Sequence, residues 1–384
     1  MLLRSYTDLM PANPVAHTQA LDLPSALLGG HSPRSFCRTV WHRKPLLIHQ
    51  AVANVRPPLS RDELFALAAR DEVQSRLVSA NGVEWALRHG PFRKLPSLRK
   101  RQWTLLVQGV NLHDQASHDL LQQFGFLSRA RLDDLMISFA TDGGGVGPHV
   151  DSYDVFLLQV QGQRRWRISQ QTDLRLVDGL PLKILRKFQP EQEFVLNPGD
   201  MLYLPPNVAH EGTAIGECMT CSIGFRAASH QELLVDFHEW FADMIEVPGQ
   251  LSNAQASPSP TPGHLPDVMI ESVLKLVRQN APTRDDVVEF LGCRLTQPTP
   301  ALTFLPTRPR RGLALALAKQ SIALYTDGWF FINGQAWQAE GADAGLLQQL
   351  ADTGRLDALS IQSASHEVQA QLREWTRNGW IRNL

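Results

Sequence analysis

The chain has 384 residues, 43% apolar and 20% charged, with a formal net charge of -1. That is an ordinary globular balance with room for two or three domains. It gives no global electrostatic reason to expect nucleic acid or an anionic membrane as partner, and no run of ~18 apolar residues suggests a membrane span. Four cysteines, Cys37, Cys218, Cys221 and Cys293, are too few and too scattered for a secreted disulfide framework. Cys218 and Cys221 have the spacing of half a zinc site, but no second pair completes it, and they read as small buried strand residues. The opening MLLRSYTDLMPANP lacks the apolar core and cleavage site of a secretory leader, so a cytoplasmic protein is expected.

In chain order, residues 1–60 mix helix-like and irregular pieces, with a short apolar strand ending at Ile48. Ser60 and Glu63 have the spacing of a capping box and open a helix carrying Leu64, Phe65 and Leu67. Strand-like runs follow at 76–78, 83–87 and 103–109. The loop between the last two holds Arg93, Lys94, Arg99, Lys100 and Arg101, which either meet phosphates or an acidic partner or form a solvated loop. Residues 114–124 read as a helix. From Leu132 the pattern is β, at 135–139, 155–160, 164–168, 194–196, 201–204 and 219–225, with Gln161, Gly162 and Gln163 as a turn between two strands. The glycine-rich loop at 142–147 lacks the Lys-Ser/Thr and helix of a phosphate cradle, so its glycines are expected to turn the backbone beside a site. Many short strands between turns indicate a sandwich or barrel.

At residue 229 the period changes. Leu233, Leu234, Phe237, Trp240, Phe241, Met244 and Ile245 form one wide apolar helical stripe. A Ser/Pro/Gly/Ala linker occupies 249–265. A second amphipathic helix carries Met269, Ile270, Val273, Leu274 and Val277, and a third spans 283–295. So short a helical module must dock such stripes on a neighbour, and a second copy of the chain is the expected one. The last part reads as a small α+β unit with a hairpin around Thr326, Asp327 and Gly328, helices at 344–350 and 366–375, and a final strand at 379–381. Helices with a hairpin wing suggest a winged-helix shape. From 301 to 384, however, eight Lys/Arg face seven Asp/Glu, so DNA binding is not expected and a structural or protein-interaction role is preferred.

The chemistry-bearing residues concentrate in GGGVGPHVDSYDVFLLQVQGQRRWRI, residues 143–168. Read as strand, this stretch points His149 and Asp151 to one face with Val150 on the other. They make two thirds of the 2-His-1-carboxylate set of non-haem iron(II) oxygenases. His210, delivered by a turn, a strand and a Pro-rich bend, closes the set. Such an oxygenase needs 2-oxoglutarate, whose far carboxylate calls for a buried cation. Arg164 shares a face with Trp166 and Ile168 and fits that need. In the alternative, the faces are reversed and Arg165 and Arg167 are the buried pair. Ser138 adds a candidate hydrogen bond, and Ser222 another.

This run, with PGDMLYLPPNVAHEG and SIGFRAAS, closely resembles the bacterial cupin/Jumonji-C ribosomal oxygenases, by motif over residues 41–229 and by element order beyond them. The resemblance implies an α+β chain. A double-stranded β-helix oxygenase domain occupies residues 1–229, a helical dimerisation module 230–295 and a winged-helix-like domain 296–384. It implies iron(II) held by His149, Asp151 and His210, 2-oxoglutarate as cosubstrate contacted by Arg164 and Ser138, and dioxygen as the oxidant. The implied substrate is an arginine, hydroxylated at Cβ, of a large-subunit ribosomal protein; sister enzymes act on histidine. For an arginine substrate, Asp142 is either a turn residue or a carboxylate at the pocket mouth, and Tyr153 lines the pocket. The rival readings are a metal-binding cupin without catalysis, a zinc hydrolase or isomerase on the same barrel, and a transcription regulator.

Overall fold

The structure is a computed structural model describing residues 21–82, 84–251, 260–299 and 302–384. The N-terminal segment, Val83 and residues 252–259 of the expected linker lie outside the described residues. Three helices precede or interrupt the first strands. Helix α1 (Pro33–Thr39) begins where the Ser32 side chain accepts from the Ser35 amide. Helix α2 (Arg61–Ala68) carries the full capping box of Ser60 and Glu63, and α3 (Gln115–Gln122) is capped by Asp114. Each cap satisfies an amide that the first helical turn leaves unpaired.

One large antiparallel sheet holds β1 (Leu46–Ile48), β2 (Ser75–Asn81), β3 (Glu84–His89), β4 (Trp103–Val107), β5 (Leu132–Ala140), β6 (Val155–Ser169), β7 (Gln192–Leu196), β8 (Met201–Leu204) and β9 (Ala209–Phe225). The strand order is β1-β8-β6-β9-β5-β4-β2-β3, with β7 also alongside β6. Strands β6 and β9 pair along their whole length, from Val155 opposite Gly224 to Ser169 opposite Ala209. The first part of β6 also pairs with β8, and the last part with β7.

Here the sequence reading needs correction: Gln161, Gly162 and Gln163 do not turn the chain between two strands. Pairing with β9 continues on both sides, and the register merely slips between Gln159 and Gln163. Gly162 takes φ +63°, and a Cβ there would lie 2.1 Å from the Glu217 carbonyl oxygen. A glycine signal expected to reverse the chain instead makes a bulge that bends one long strand.

Strand alternation assigns the two faces of this sheet different work. Leu77, Leu105, Ile137, Phe156, Leu158, Cys221 and Ile223 enter the main core with Phe36, Leu64 and Phe124. Their neighbours Arg76, Val78, Leu106, Met136, Ser138, Val155, Leu157 and Ser222 line a cavity on the opposite face. Cys218 and Cys221 are both buried free thiols, as the strand reading expected.

Beyond the sheet come α4 (His230–Met244), α5 (Asp267–Gln279) and α6 (Arg284–Thr296). Neither α4 nor α5 buries a single residue fully. Helix α4 meets α6 through Phe237 and Trp240 against Phe290. The C-terminal unit has a three-stranded sheet of β10 (Leu315–Leu317) between β14 (Arg355–Leu356) and β15 (Ile381–Asn383), and a meander of β11 (Ala323–Thr326), β12 (Trp329–Ile332) and β13 (Gln335–Gln338). The expected hairpin is present, with Thr326 opposite Trp329. Helices α7 (Gly341–Thr353), α8 (Ala358–Ser363) and α9 (His366–Arg377) close a separate core around Ile332, Leu350, Leu372 and Trp375.

Candidate functional site

His149 and Asp151 are not on a regular strand. His149 makes an isolated bridge to His210, and the residues after it are irregular. The bridge nevertheless does what the strand reading required. The His149 amide donates to the His210 carbonyl at 3.0 Å, and the His210 amide donates back at 2.9 Å. Two residues far apart in sequence thus face each other, with ring centroids 4.2 Å apart. The glycine loop makes this approach possible: a Cβ on Gly144 would lie 2.5 Å from the Trp103 carbonyl oxygen, and Gly147 takes φ +80°.

Each imidazole is held in one tautomer. His149 Nδ1 lies 2.9 Å from the Gly147 carbonyl oxygen, and His210 Nδ1 lies 2.9 Å from that of Val208. A carbonyl only accepts, so Nδ1 carries the proton and Nε2 offers a lone pair. Nε2 of His149 lies 3.9 Å from one Asp151 carboxylate oxygen, and Nε2 of His210 lies 3.6 Å from the other. The three donor atoms lie within 4.8 Å of one another, a spacing that fits one shared cation. Burial first, and then His149, depresses the His210 pKa to about 4, so its ring is neutral at physiological pH, as a ligand must be.

These groups open onto a cavity of about 550 Å³. Arg164 is 5% exposed and faces the same cavity, settling the choice of faces: Arg165 and Arg167 turn outward to Glu193 and Glu211. The Arg164 guanidinium lies over the Trp166 ring, 5.8 Å from its centroid, and two of its buried nitrogens, Nε and Nη2, have no hydrogen-bond partner. A buried cation with free donors is costly unless an anion completes it. Ser138 and Ser222 line the same wall; the Ser138 hydroxyl donates weakly to the Thr220 carbonyl at 3.4 Å. Tyr153 lines the outer part and is 38% exposed.

Asp142 does not reach the cavity. Its carboxylate accepts from the Gly216 amide at 2.8 Å and pairs with Arg101, so it is a turn residue and the proposed substrate contact loses its geometric support. Apart from Arg101, the cations of the 93–101 loop are exposed and carry no ion pair among the described residues, as a solvated loop would. The sequence reading missed Asp134 and Met136. They follow Ser138 outward along β5 at alternate positions and line the cavity. Burial, and then Asp133, raises the Asp134 pKa to about 6, while its carboxylate accepts from the Gly109 amide at 2.7 Å.

A JmjC domain model matches residues 119–233. The ribosomal protein uL16 3-hydroxylase of Escherichia coli K12 is 38% identical over 251 residues, covering 64% of this chain and 67% of that protein. The X-ray structure of E. coli ycfD superposes with a TM-score of 0.83 at 29% identity, covering 91% of this chain and 98% of that one. A structure of the ribosomal oxygenase YcfD with cobalt and 2-oxoglutarate gives 0.79 at the same identity, covering 91% and 97%.

Proposed function

The chain belongs to the JmjC ribosomal oxygenases, enzymes of iron(II), 2-oxoglutarate and dioxygen, and we propose that it hydroxylates Cβ of an arginine in a large-subunit ribosomal protein, uL16 or its equivalent. One observation carries the reading: a buried arginine with unpartnered nitrogens shares a cavity with two imidazoles and a carboxylate spaced for one cation. That donor set suits iron(II), and the arginine suits the dianionic cosubstrate.

Iron(II) held there with 2-oxoglutarate would supply the oxidising power for a C–H hydroxylation, one atom of dioxygen going to the substrate and the other to succinate with loss of carbon dioxide. The protein's own part is positioning. His149, Asp151 and His210 would hold the metal, and Arg164 would take the far carboxylate of 2-oxoglutarate on its unpartnered nitrogens. Ser138 and Ser222, which line the same cavity, are the hydroxyls that would add hydrogen bonds to that anion. Asp134 and Tyr153, which line the same cavity, would take the guanidinium of the substrate, and Met136 offers an apolar surface for its methylenes. Asp134 favours arginine over a neutral histidine. A carboxylate held near neutrality by burial gains most from a permanent cation beside it. The hydrocarbon walls, Val155, Leu157 and Leu106, limit the water that reaches the reacting carbon.

The division into 1–229, 230–295 and 296–384 agrees with one core drawn from residues 28–225 and another from 315–381. A homodimer through α4 and α5 is supported by exposed Leu234, Met244, Ile245, Val268, Val273 and Val277. A winged-helix character for the last unit rests on its meander and three helices. A ribosomal substrate supports action in the cytoplasm.

The deciding experiment is mass spectrometry of ribosomal proteins from cells with and without the enzyme. A gain of one oxygen atom on an arginine of uL16 is expected. A gain on a histidine transfers the reading to the sister specificity, and no gain on any ribosomal protein sinks the substrate assignment.

A further inference from the structure

A second cavity, of about 160 Å³, lies at the seam between the sheet domain and the C-terminal unit, lined by α3 on one side and by β10, β14 and β15 on the other. The two sides are already joined: the Arg129 guanidinium donates to the Ala351 and Asp352 carbonyls, and the Gln320 amide donates to the Leu112 carbonyl at 3.2 Å. Four cations line this space, Arg129, Lys319, Arg355 and Arg382. Among the described residues none of them makes an ion pair with a carboxylate.

The strand register builds the site. Arg355 on β14 and Arg382 on β15 both lie directly opposite Ala316 of β10. Directly opposed residues share a face, so the two guanidinium stems rise on one side with only a methyl group between them. Their Cα atoms are about 9–10 Å apart, two strand spacings. Both side chains are exposed, so water and salt screen much of their repulsion, and an anion seated between them would gain from both. The two carboxylates of the lining do not fill that role. Asp133 pairs with Arg226 at 3.5 Å, and Asp119 accepts from Gln115 on its own helix at 2.9 Å. On the facing wall, His118 presents a buried Nδ1 with no hydrogen-bond partner. Burial keeps this ring from charging, opposed by the neighbouring Asp119 and helped by Arg129, Lys319 and Arg382.

We propose that this seam is a binding site for a small tetrahedral oxyanion, a phosphate group held in the fork of Arg355 and Arg382, with Lys319 and Arg129 completing its charge and His118 Nδ1 on the facing wall. The space admits such a group with water around it and is too small for a nucleic-acid strand. Arg355 and Arg382 come from the C-terminal unit, while His118 and Arg129 come from the sheet domain. The anion therefore bridges the two, and its binding stabilises their docking. The site is separate from the metal cavity, so its test does not depend on turnover.

Inorganic phosphate is titrated calorimetrically into the full chain at constant ionic strength, with sodium chloride as the compensating salt. A phosphate monoester, glycerol phosphate, is the second arm. Saturable one-to-one binding is expected, with a thermal transition that rises with phosphate but not with chloride. Phosphate alone binding identifies a free ion; both binding identifies an accessible phosphate group. Lys319→Gln and Arg382→Gln should each weaken binding about tenfold, the loss of one charge-assisted contact. Should Arg382→Gln fail to fold, Lys319→Gln and Arg355→Gln carry the same test. Absence of phosphate binding beyond the salt control, or unchanged binding in the variants, overturns the site. A short RNA binding more tightly than phosphate through the same residues overturns it in favour of a macromolecular partner.

Discussion

The two faces of strand β5 differ by one residue of offset and serve opposite ends. Leu135, Ile137 and Phe139 are wholly buried in hydrocarbon, while Asp134, Met136 and Ser138 line the metal cavity. The first set packs the core; the second turns a carboxylate, a thioether and a hydroxyl toward the cavity, where Asp134 and Ser138 each keep one bond to the backbone. The lesson is that stability and function are sorted by parity along a strand, and a substitution should register on one account or the other. The cavity face gives up folding energy to keep its donors and acceptors free.

The sharpest break of that comparison is at the metal ligands. His210→Ala should abolish turnover, by more than about a hundredfold given the losses seen even for groups behind the ligands, while thermal stability holds. Anaerobic iron(II) and 2-oxoglutarate should give a visible charge-transfer band with the native chain and none with the variant; no band in the correctly folded native chain would end the oxygenase reading. On the core face the pattern should invert. Phe156, wholly buried among Phe36, Phe124 and Tyr203, should cost about 3–5 kcal/mol as Phe156→Ala, read as a lowered denaturant midpoint, with little change in the KM of the folded fraction. Arg164→Leu should raise the KM for 2-oxoglutarate about a hundredfold, the loss expected when one partner of a buried charge pair is removed. Stability should be unchanged or improved, because an uncompensated cation has gone. A fall in stability as large as that of Phe156→Ala would show that Arg164 is structural.

Asp134 should give the smallest and most informative effect. Its folded pKa is raised to about 6, so the folded state binds the extra proton and ionisation works against folding as pH rises through that value. Asp134→Asn should therefore stabilise the chain above pH 6, by about 3 kcal/mol at most. Catalytic efficiency on an arginine peptide should fall roughly tenfold. With the native chain, the peptide KM should rise as pH drops below about 6, since only the carboxylate attracts the guanidinium. A flat KM profile would remove Asp134 from substrate recognition.

The inner end of the cavity was readable from sequence because its chemistry needs particular residue types at short spacing. His149 and Asp151 announce themselves, and Arg164 stands out as a cation sharing a strand face with Trp166 and Ile168. The outer end was not. Counting back by two from Ser138 puts Met136 and Asp134 on the cavity face, but nothing local marks that end as part of a site, and beyond the register slip between Leu132 and Leu135 the adjacent Asp133 borders the cavity as well. Asp142 misled for the opposite reason: it lies near the ligands in sequence, yet its carboxylate is committed to the Gly216 amide. Gly162 was recognised as a turn residue by its type, but whether a positive φ reverses a strand or only bends it is set by the partner strand, which no local window contains.

The paired amides of His149 and His210 have one more consequence. They staple the two ends of a long excursion, residues 150–209, at the ligands themselves. Chain added within that excursion changes loop-closure entropy only slowly and leaves the ligand spacing where it is. The lip segment carrying Pro181, Leu182 and Lys183 borders the cavity and is itself tied back to the ligand loop, the Leu185 amide donating to the Pro148 carbonyl at 2.8 Å, so a change in it reaches the cavity wall with the ligand pair still stapled.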